Sequence, residues 1–247
     1  MRNIERIAHE AKETLDTASP EALLAWAAET FSPRVALSCS FGGPGGVVLA
    51  HMAHRLGLSI PLLFIDTGFL FPETYRLKEE VRRAWRPAIV TITPALTPEE
   101  QAERYGDELW GRDPDLCCAL RKVAPMARAL EELDCWITAL RRDQSPTRAQ
   151  VDPIELHRLE TGRAILKLNP LARWTKREVW QYVTTYGLPY NRLLDEGYRS
   201  IGCVQCTAKA SGDDERAGRW QGTTKTECGL HTFTQRTPGR GSGDTVE

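Results

Sequence analysis

The hydrophobic residues of the chain fall into short unbroken runs, separated by longer stretches in which apolar and polar positions alternate at helical spacing. Four runs have the length of buried strands: residues 34–40, 60–65, 88–92 and 134–140. Between them, the segment beginning at Val47, residues 71–84 and most of 97–130 read as helices. Two more helices are expected within residues 4–30, the second opened by Ser19-Pro20-Glu21 with proline near its first position. Residues 152–168 read as short strands with a turn at Thr161-Gly162. Trp174 then opens a helix, with Thr175 as N-cap and Glu178 placed to close a capping box. Alternation of this kind predicts an α/β fold built on a doubly wound, mostly parallel sheet. Beyond Trp220 the periodicity fades, so residues 1–206 are expected to form a single α/β domain and 207–247 an extended, partly mobile tail.

Composition narrows the setting. Of 247 residues, 26% are charged, and they balance to a net charge of −1. A balanced chain exerts no general pull on nucleic acid or membrane. The N-terminus lacks the apolar core of a signal peptide, and no apolar run of about 18 residues occurs. A cytoplasmic protein is therefore expected, with no nucleic-acid or membrane partner. In a reducing compartment, the seven cysteines read as metal ligands or catalytic thiols rather than bridges.

The candidate chemistry gathers where strands end. After the first strand comes Ser40-Phe41-Gly42-Gly43-Pro44-Gly45-Gly46. Strand, glycine-rich turn, helix places free backbone N–H groups and a positive helix end beside an anion. The turn lacks the Gly-Lys-Ser/Thr of a Walker A loop. Asp66-Thr67-Gly68 and Arg141-Arg142-Asp143-Gln144-Ser145 follow the second and fourth of these strands, at the same expected edge. Arginine there suits sulfate or phosphate, because its fork donates two parallel hydrogen bonds. Cys39 and Cys135 sit inside apolar strands and read as core. Cys117-Cys118 and Cys203-x-x-Cys206 form two tight thiol pairs. Such pairs suit a metal cluster, with zinc, a redox pair or no metal as the alternatives. Cys228, in Lys225-Thr226-Glu227-Cys228-Gly229-Leu230-His231, reads as a nucleophile whose thiolate Lys225 and His231 would favour.

Taken together, these segments resemble the assimilatory adenylyl-sulfate reductases, the thioredoxin-dependent type related to phosphoadenylyl-sulfate (PAPS) reductases. The likeness runs in family order over roughly residues 30–231, and adds Phe71-Pro72-Glu73-Thr74-Tyr75, Arg121-Lys122 and Asp195-Glu196-Gly197-Tyr198 to the motifs above. It implies an adenine nucleotide α-hydrolase-like fold with a modified P-loop. It implies a 4Fe-4S cluster on Cys117, Cys118, Cys203 and Cys206, and a Cys228 that attacks the sulfur of adenylyl sulfate, giving a thiosulfonate from which reduced thioredoxin releases sulfite. Substrate contacts are expected from Ser40, Phe41, Gly42, Asp66, Thr67, Gly68, Lys122, Arg141, Arg142, Gln144, Arg216, Arg219 and His231. A homo-oligomer is left open. Many adenylyl-sulfate reductases carry Glu-Asp where this chain has Gly45-Gly46, and the PAPS branch lacks those acids too. The alternatives are a PAPS or dual-substrate reductase, and an ATP-using tRNA thiolation enzyme on the same sheet.

Overall fold

The computed structural model describes residues 2–210, 214–223 and 225–231. Helices α1 (Ile4–Leu15) and α2 (Pro20–Phe31) lead into strand β1 (Val35–Ser38). There follow α3 (Pro44–Arg55), β2 (Leu62–Ile65), α4 (Pro72–Trp85) and β3 (Ile89–Ile92). A helical region contains α5 (Pro98–Tyr105), α6 (Leu109–Arg112), α7 (Pro114–Cys118) and α8 (Ala124–Leu130). Strands β4 (Cys135–Ile137), β5 (Ile154–Arg158) and β6 (Ala164–Leu168) and helix α9 (Lys176–Tyr186) complete the regular elements.

Local signals explain most boundaries. The Ser19 hydroxyl accepts from the Ala22 N–H at 3.2 Å, and Pro20 takes the first position of α2. Thr175 and Glu178 form the expected reciprocal capping box of α9, which Gly187 ends in a left-handed conformation. Helix α3 starts at Pro44, three residues before the expected Val47. Pro44 presets the first helical turn, and Gly45 and Gly46 lie inside it, buried. Residues 97–130 are helical as expected, but broken into four pieces with a wide π-type turn at Ala119–Val123. Pro125 has no N–H to return to the Arg121 carbonyl, which favours the wider turn.

The six strands form one sheet in the order β3-β2-β1-β4-β6-β5. All neighbours are parallel except the hairpin of β5 and β6, where Gly162 occupies a left-handed turn position. Strands β1, β2 and β3 step outward in one direction, and the chain then returns to lay β4 on the other side of β1. That reversal puts a crevice at the carboxyl ends of β1 and β4, the place where open α/β sheets bind ligands. One sheet face is sealed by apolar residues of α1, α2, α3 and α9, including Leu24, Phe31, Leu49 and Val179. The other carries a smaller cluster around Met126, Leu130 and Trp136. Among the described residues, no helix is long and apolar enough to cross a membrane.

Past residue 206 the described residues contain no helix or longer strand. Residues 214–223 and 225–231 pack back toward the sheet edge, where Trp220 is buried and Leu230 joins the cluster around Trp136. The part of the expected tail beyond residue 231 falls outside the described residues.

Candidate active site

A cavity of 450 Å³ opens at the β1/β4 crevice. Its floor is the glycine-rich turn. Phe41 takes a left-handed backbone conformation, and Asn191 donates to its carbonyl at 3.1 Å. Ser40 accepts from the Gly42 N–H at 3.3 Å. No side chain caps the start of α3, so its first N–H groups are left to the cavity. A Cβ on Gly42 would lie 2.4 Å from the Ile201 carbonyl oxygen. Glycine is therefore what lets the turn carrying Cys203 lie against the glycine-rich loop.

The four paired cysteines converge behind this floor. Cys117 and Cys118 end α7, and Cys203 is seated on the loop after β2. The Val204 N–H donates to the Phe69 carbonyl at 2.8 Å, and the Thr67 hydroxyl lies 3.3 Å from the Cys203 sulfur. Cys117 feels Cys203 and Cys206, and Cys118 feels Cys203 and Cys228. Burial pushes Cys117 and Cys206 up, and Cys118 up to about 11. Cys203 moves down: Lys122, Thr67 and Arg219 outweigh the opposing effect of burial. Burial likewise opposes charge on Lys122, but the facing Cys203, Cys228 and Cys118 sulfurs outweigh it, despite Arg219, and its pKa rises. Arg121, also buried, donates to the Thr67 carbonyl at 2.5 Å and to Gln101 at 3.0 Å, tying α5, the β2 loop and the wide turn together.

This donor set fits a thiolate-held cluster. Three thiols with raised pKa values, Cys117 and Cys118 buried and Cys206 half-buried, lose their protons readily only when a positive centre binds them. Lys122, Arg121 and Arg219 lie where they offset the resulting negative charge. Among the described residues, no three Cys, His, Asp or Glu side chains close to the spacing of a single metal ion.

The roof is the tail. Trp220 is flanked by the guanidinium of Arg219 at 4.3 Å, that of Arg216 at 5.5 Å and the Lys225 ammonium at 5.6 Å. The Trp220 backbone N–H and the Arg219 Nε both donate to the Cys206 carbonyl, at 3.1 and 3.2 Å, which ties the thiol turn to the roof. Lys225 pairs with Asp115 of α7. His231 stacks on Trp136 with centroids 5.3 Å apart. Burial, then Lys167, Arg148, Arg216 and His157, hold its pKa well below 6.5, so the ring is neutral near pH 7. Cys228 is half-buried on the cavity wall.

The expected contacts divide. Ser40, Gly42, Thr67, Lys122, Arg141, Gln144, Arg216, Arg219 and His231 line the cavity with Cys228. Phe41, Asp66, Gly68 and Arg142 do not. The Phe41 ring turns into the core against Phe64. Asp66 accepts from the Tyr75 hydroxyl at 2.6 Å and from the Gly68 N–H at 3.0 Å. Gly68 faces Pro98 and Arg121. Arg142 swings out to Asp152 at 2.9 Å. Arg141 reaches the cavity but is already held by Glu215, in two bonds of 2.8 and 2.7 Å, and by Asp143 at 2.9 Å. Arg148, which no motif reading singled out, is half-buried on the wall and grips Glu227. Its only sequence signal was a position shortly after the Arg141-Arg142 loop.

An uncapped helix start, a ring of cations and a set of buried thiols at the switch point of a parallel sheet define an anion- and nucleotide-binding protein of the adenine nucleotide α-hydrolase-like fold. The chain belongs to the phosphoadenosine phosphosulfate reductase domain family, whose model matches residues 34–209. It is 45% identical to the adenosine 5'-phosphosulfate reductase of Halalkalibacterium halodurans, over 90% of this chain and 93% of that one. It is 43% identical to the phosphoadenosine 5'-phosphosulfate reductase of Gloeobacter violaceus, over 90% and 92% of the two chains. The phosphoadenylyl-sulfate reductase of Candida auris, solved as a phosphate complex, superposes with a TM-score of 0.70 at 35% identity, over 81% of this chain and 96% of that one. Yeast FAD synthetase shares the fold alone, at 16% identity and a TM-score of 0.53, over 85% of this chain and 69% of that one.

Proposed function

We propose that this protein is a sulfur-group oxidoreductase of sulfate assimilation that reduces adenylyl sulfate to sulfite and AMP. The observation that carries the reading is one cavity lined by Cys228, Lys122, Arg219 and the open start of α3. The Cys228 thiolate attacks the sulfate sulfur, the sulfur–oxygen bond to AMP breaks, and a Cys228 thiosulfonate remains. Lys122 and Arg219, in no salt bridge among the described residues, are the cations best placed to hold the sulfate and phosphate oxygens as charge moves onto AMP. The Arg216 Nε, buried and without a partner among the described residues, offers a third donor. Neutral His231 is a hydrogen-bonding group at the same wall.

Release of sulfite needs two electrons. Cys39 and Cys135 are sealed in the core, and the two cysteine pairs are taken as ligands, so an external dithiol must supply them. Reduced thioredoxin is that dithiol in this reading. Cys117, Cys118, Cys203 and Cys206 would hold a 4Fe-4S cluster. When bound, it supplies electrostatic and structural organisation between α7 and the tail root rather than electrons for the substrate. Residues 207–247 act as the tail that carries the nucleophile, in a cytoplasmic enzyme.

The test is mass spectrometry after adding adenylyl sulfate without thioredoxin. An SO3 adduct is expected on the Cys228 peptide and absent in Cys228→Ser, with cluster absorbance unchanged. A Cys228→Ser variant that keeps normal turnover sinks the reading. The Gloeobacter relative and the pair Gly45-Gly46 favour PAPS as the second reading. A side-by-side kcat/KM comparison of the two nucleotides decides between them.

A further inference from the structure

Glu227 stands next to the thiol proposed as nucleophile, yet its carboxylate points away from solvent into the protein. Arg148 donates to it through Nε and Nη2, both at 2.9 Å. The Thr147 hydroxyl donates at 3.1 Å, and the Arg216 Nη2 at 3.1 Å. The three charged side chains are only 11%, 12% and 17% exposed for Arg148, Glu227 and Arg216. The grip is itself braced. Gln144 accepts from the Arg148 Nη1 at 2.6 Å and from the Arg141 N–H at 3.1 Å, so the fork is set by the loop that follows β4. Arg216 in turn donates to the Thr226 carbonyl at 2.9 Å.

We infer that Glu227 is the positioning residue for Cys228: its carboxylate, clamped by Arg148 and Arg216, docks the tail so that the thiol faces the cavity. The other tail anchors differ in kind. Leu230 and His231 pack against the Trp136 cluster, and Lys225 pairs with the exposed Asp115. Glu215 also brings a largely buried carboxylate to the β4 loop, but to Arg141 and well before the thiol; among the described residues of the tail, Glu227 alone is gripped by two largely buried arginines, and it adjoins Cys228. Removing it leaves Arg148 and Arg216 facing each other without a counter-charge, a costly arrangement. Arg148 thereby gains a role of its own. It serves the reaction through Glu227 rather than by touching substrate, and it ties the tail to the β4 loop at the switch point.

The inference rests on the reading of Cys228 as nucleophile, but its test needs no nucleotide. Cys228 is labelled with iodoacetamide, a neutral reagent, in the cluster-loaded protein, and the rate is followed on its own peptide. Glu227→Gln keeps the shape and removes the charge. Its labelling rate should rise roughly tenfold, and Arg148→Met should do the same. The double variant should label no faster than either single one, because both break one clamp. In turnover, kcat should fall more than KM rises, and Glu227→Asp should restore part of it. Equal labelling in the unsubstituted protein and Glu227→Gln overturns the inference, as does a double variant whose effect is the product of the singles. Should Glu227→Gln unfold, Arg148→Met alone carries the comparison. If no sulfite is formed under any condition, the proposed function fails while the labelling result still stands.

Discussion

Arginine shows how little residue type says about role here. Arg141, Arg142, Arg148, Arg216 and Arg219 lie in or near one loop and one tail. Arg141 is held by Glu215 and Asp143, Arg142 by Asp152 and Arg148 by Glu227, while among the described residues Arg219 finds no carboxylate, meeting a carbonyl and the Trp220 face. A paired arginine is a scaffold, and Arg216 divides its donors, with Nη2 on Glu227 and Nε without a partner among the described residues. An unpaired one beside a cavity is an anion donor, since its charge-assisted hydrogen bonds are still to be made. Gly202 makes the space for Arg219: a Cβ there would lie 2.5–2.7 Å from the guanidinium. The obstacle is the end of a flexible side chain, so Gly202→Ala should fold with little change in Tm. The displaced guanidinium should weaken adenylyl sulfate binding by roughly tenfold, the scale of one charge-assisted hydrogen bond. Calorimetric titration measures it, and unchanged affinity would remove Arg219 from the site.

Elements meet at this site through backbone contacts that admit no side chain. The glycine-rich loop and the segment before Cys203 touch at Gly42 and Ile201, where an added methyl group would collide with a carbonyl oxygen at 2.4 Å. Neither partner can rotate away. Gly42→Ala is therefore expected to cost about 1–3 kcal/mol of stability and to loosen the thiol set, a contrast with Gly202→Ala. Denaturant unfolding and iron content read out the two effects. The start of α3 obeys the same rule. A Cβ on Gly46 would come within 2.8 Å of the Cys39 sulfur, so this chain's loop is shaped by a buried thiol beneath it as well as by its ligand. Burial raises that thiol to about 12, keeping it an inert piece of core.

Across the whole molecule, the sheet links the site to a buried polar group on its far strands. His157 of β5 stands edge-on to Trp136 at 5.3 Å, with His231 stacked on the same ring. Burial, then Lys167, depress its pKa to about 4, against a smaller pull from Glu155; Lys167 is itself paired with Glu155 at 2.8 Å. In the unfolded chain this group takes up a proton near pH 6.5, whereas the folded ring declines it until about pH 4. Between those values the unfolded state binds more protons, so stability falls as pH falls. The loss reaches at most about 3 kcal/mol below that window. His157→Phe keeps an aromatic edge and removes the titration. Its stability deficit relative to the unsubstituted protein should shrink between about pH 7 and about pH 5, measured by denaturant unfolding. A deficit that stays constant assigns the acid sensitivity elsewhere.

The order of strands and helices, the capping box at Thr175, the glycine-rich turn and the two cysteine pairs were all legible along the chain. Each depends on neighbours a few residues apart, through hydrogen-bond caps, apolar periodicity and turn chemistry. Which side of β1 receives β4 was not legible, nor which of several similar arginines would find a carboxylate. The fate of Glu227 and Arg148, 79 residues apart in the chain, depends on the fold bringing loop and tail together. Phe41 and Asp66 sit in motifs that face the cavity, yet their side chains turn to Phe64 and Tyr75. Local propensity sets backbone conformation. The direction in which a polar or aromatic side chain points is decided by the partners that burial brings within hydrogen-bonding or packing distance.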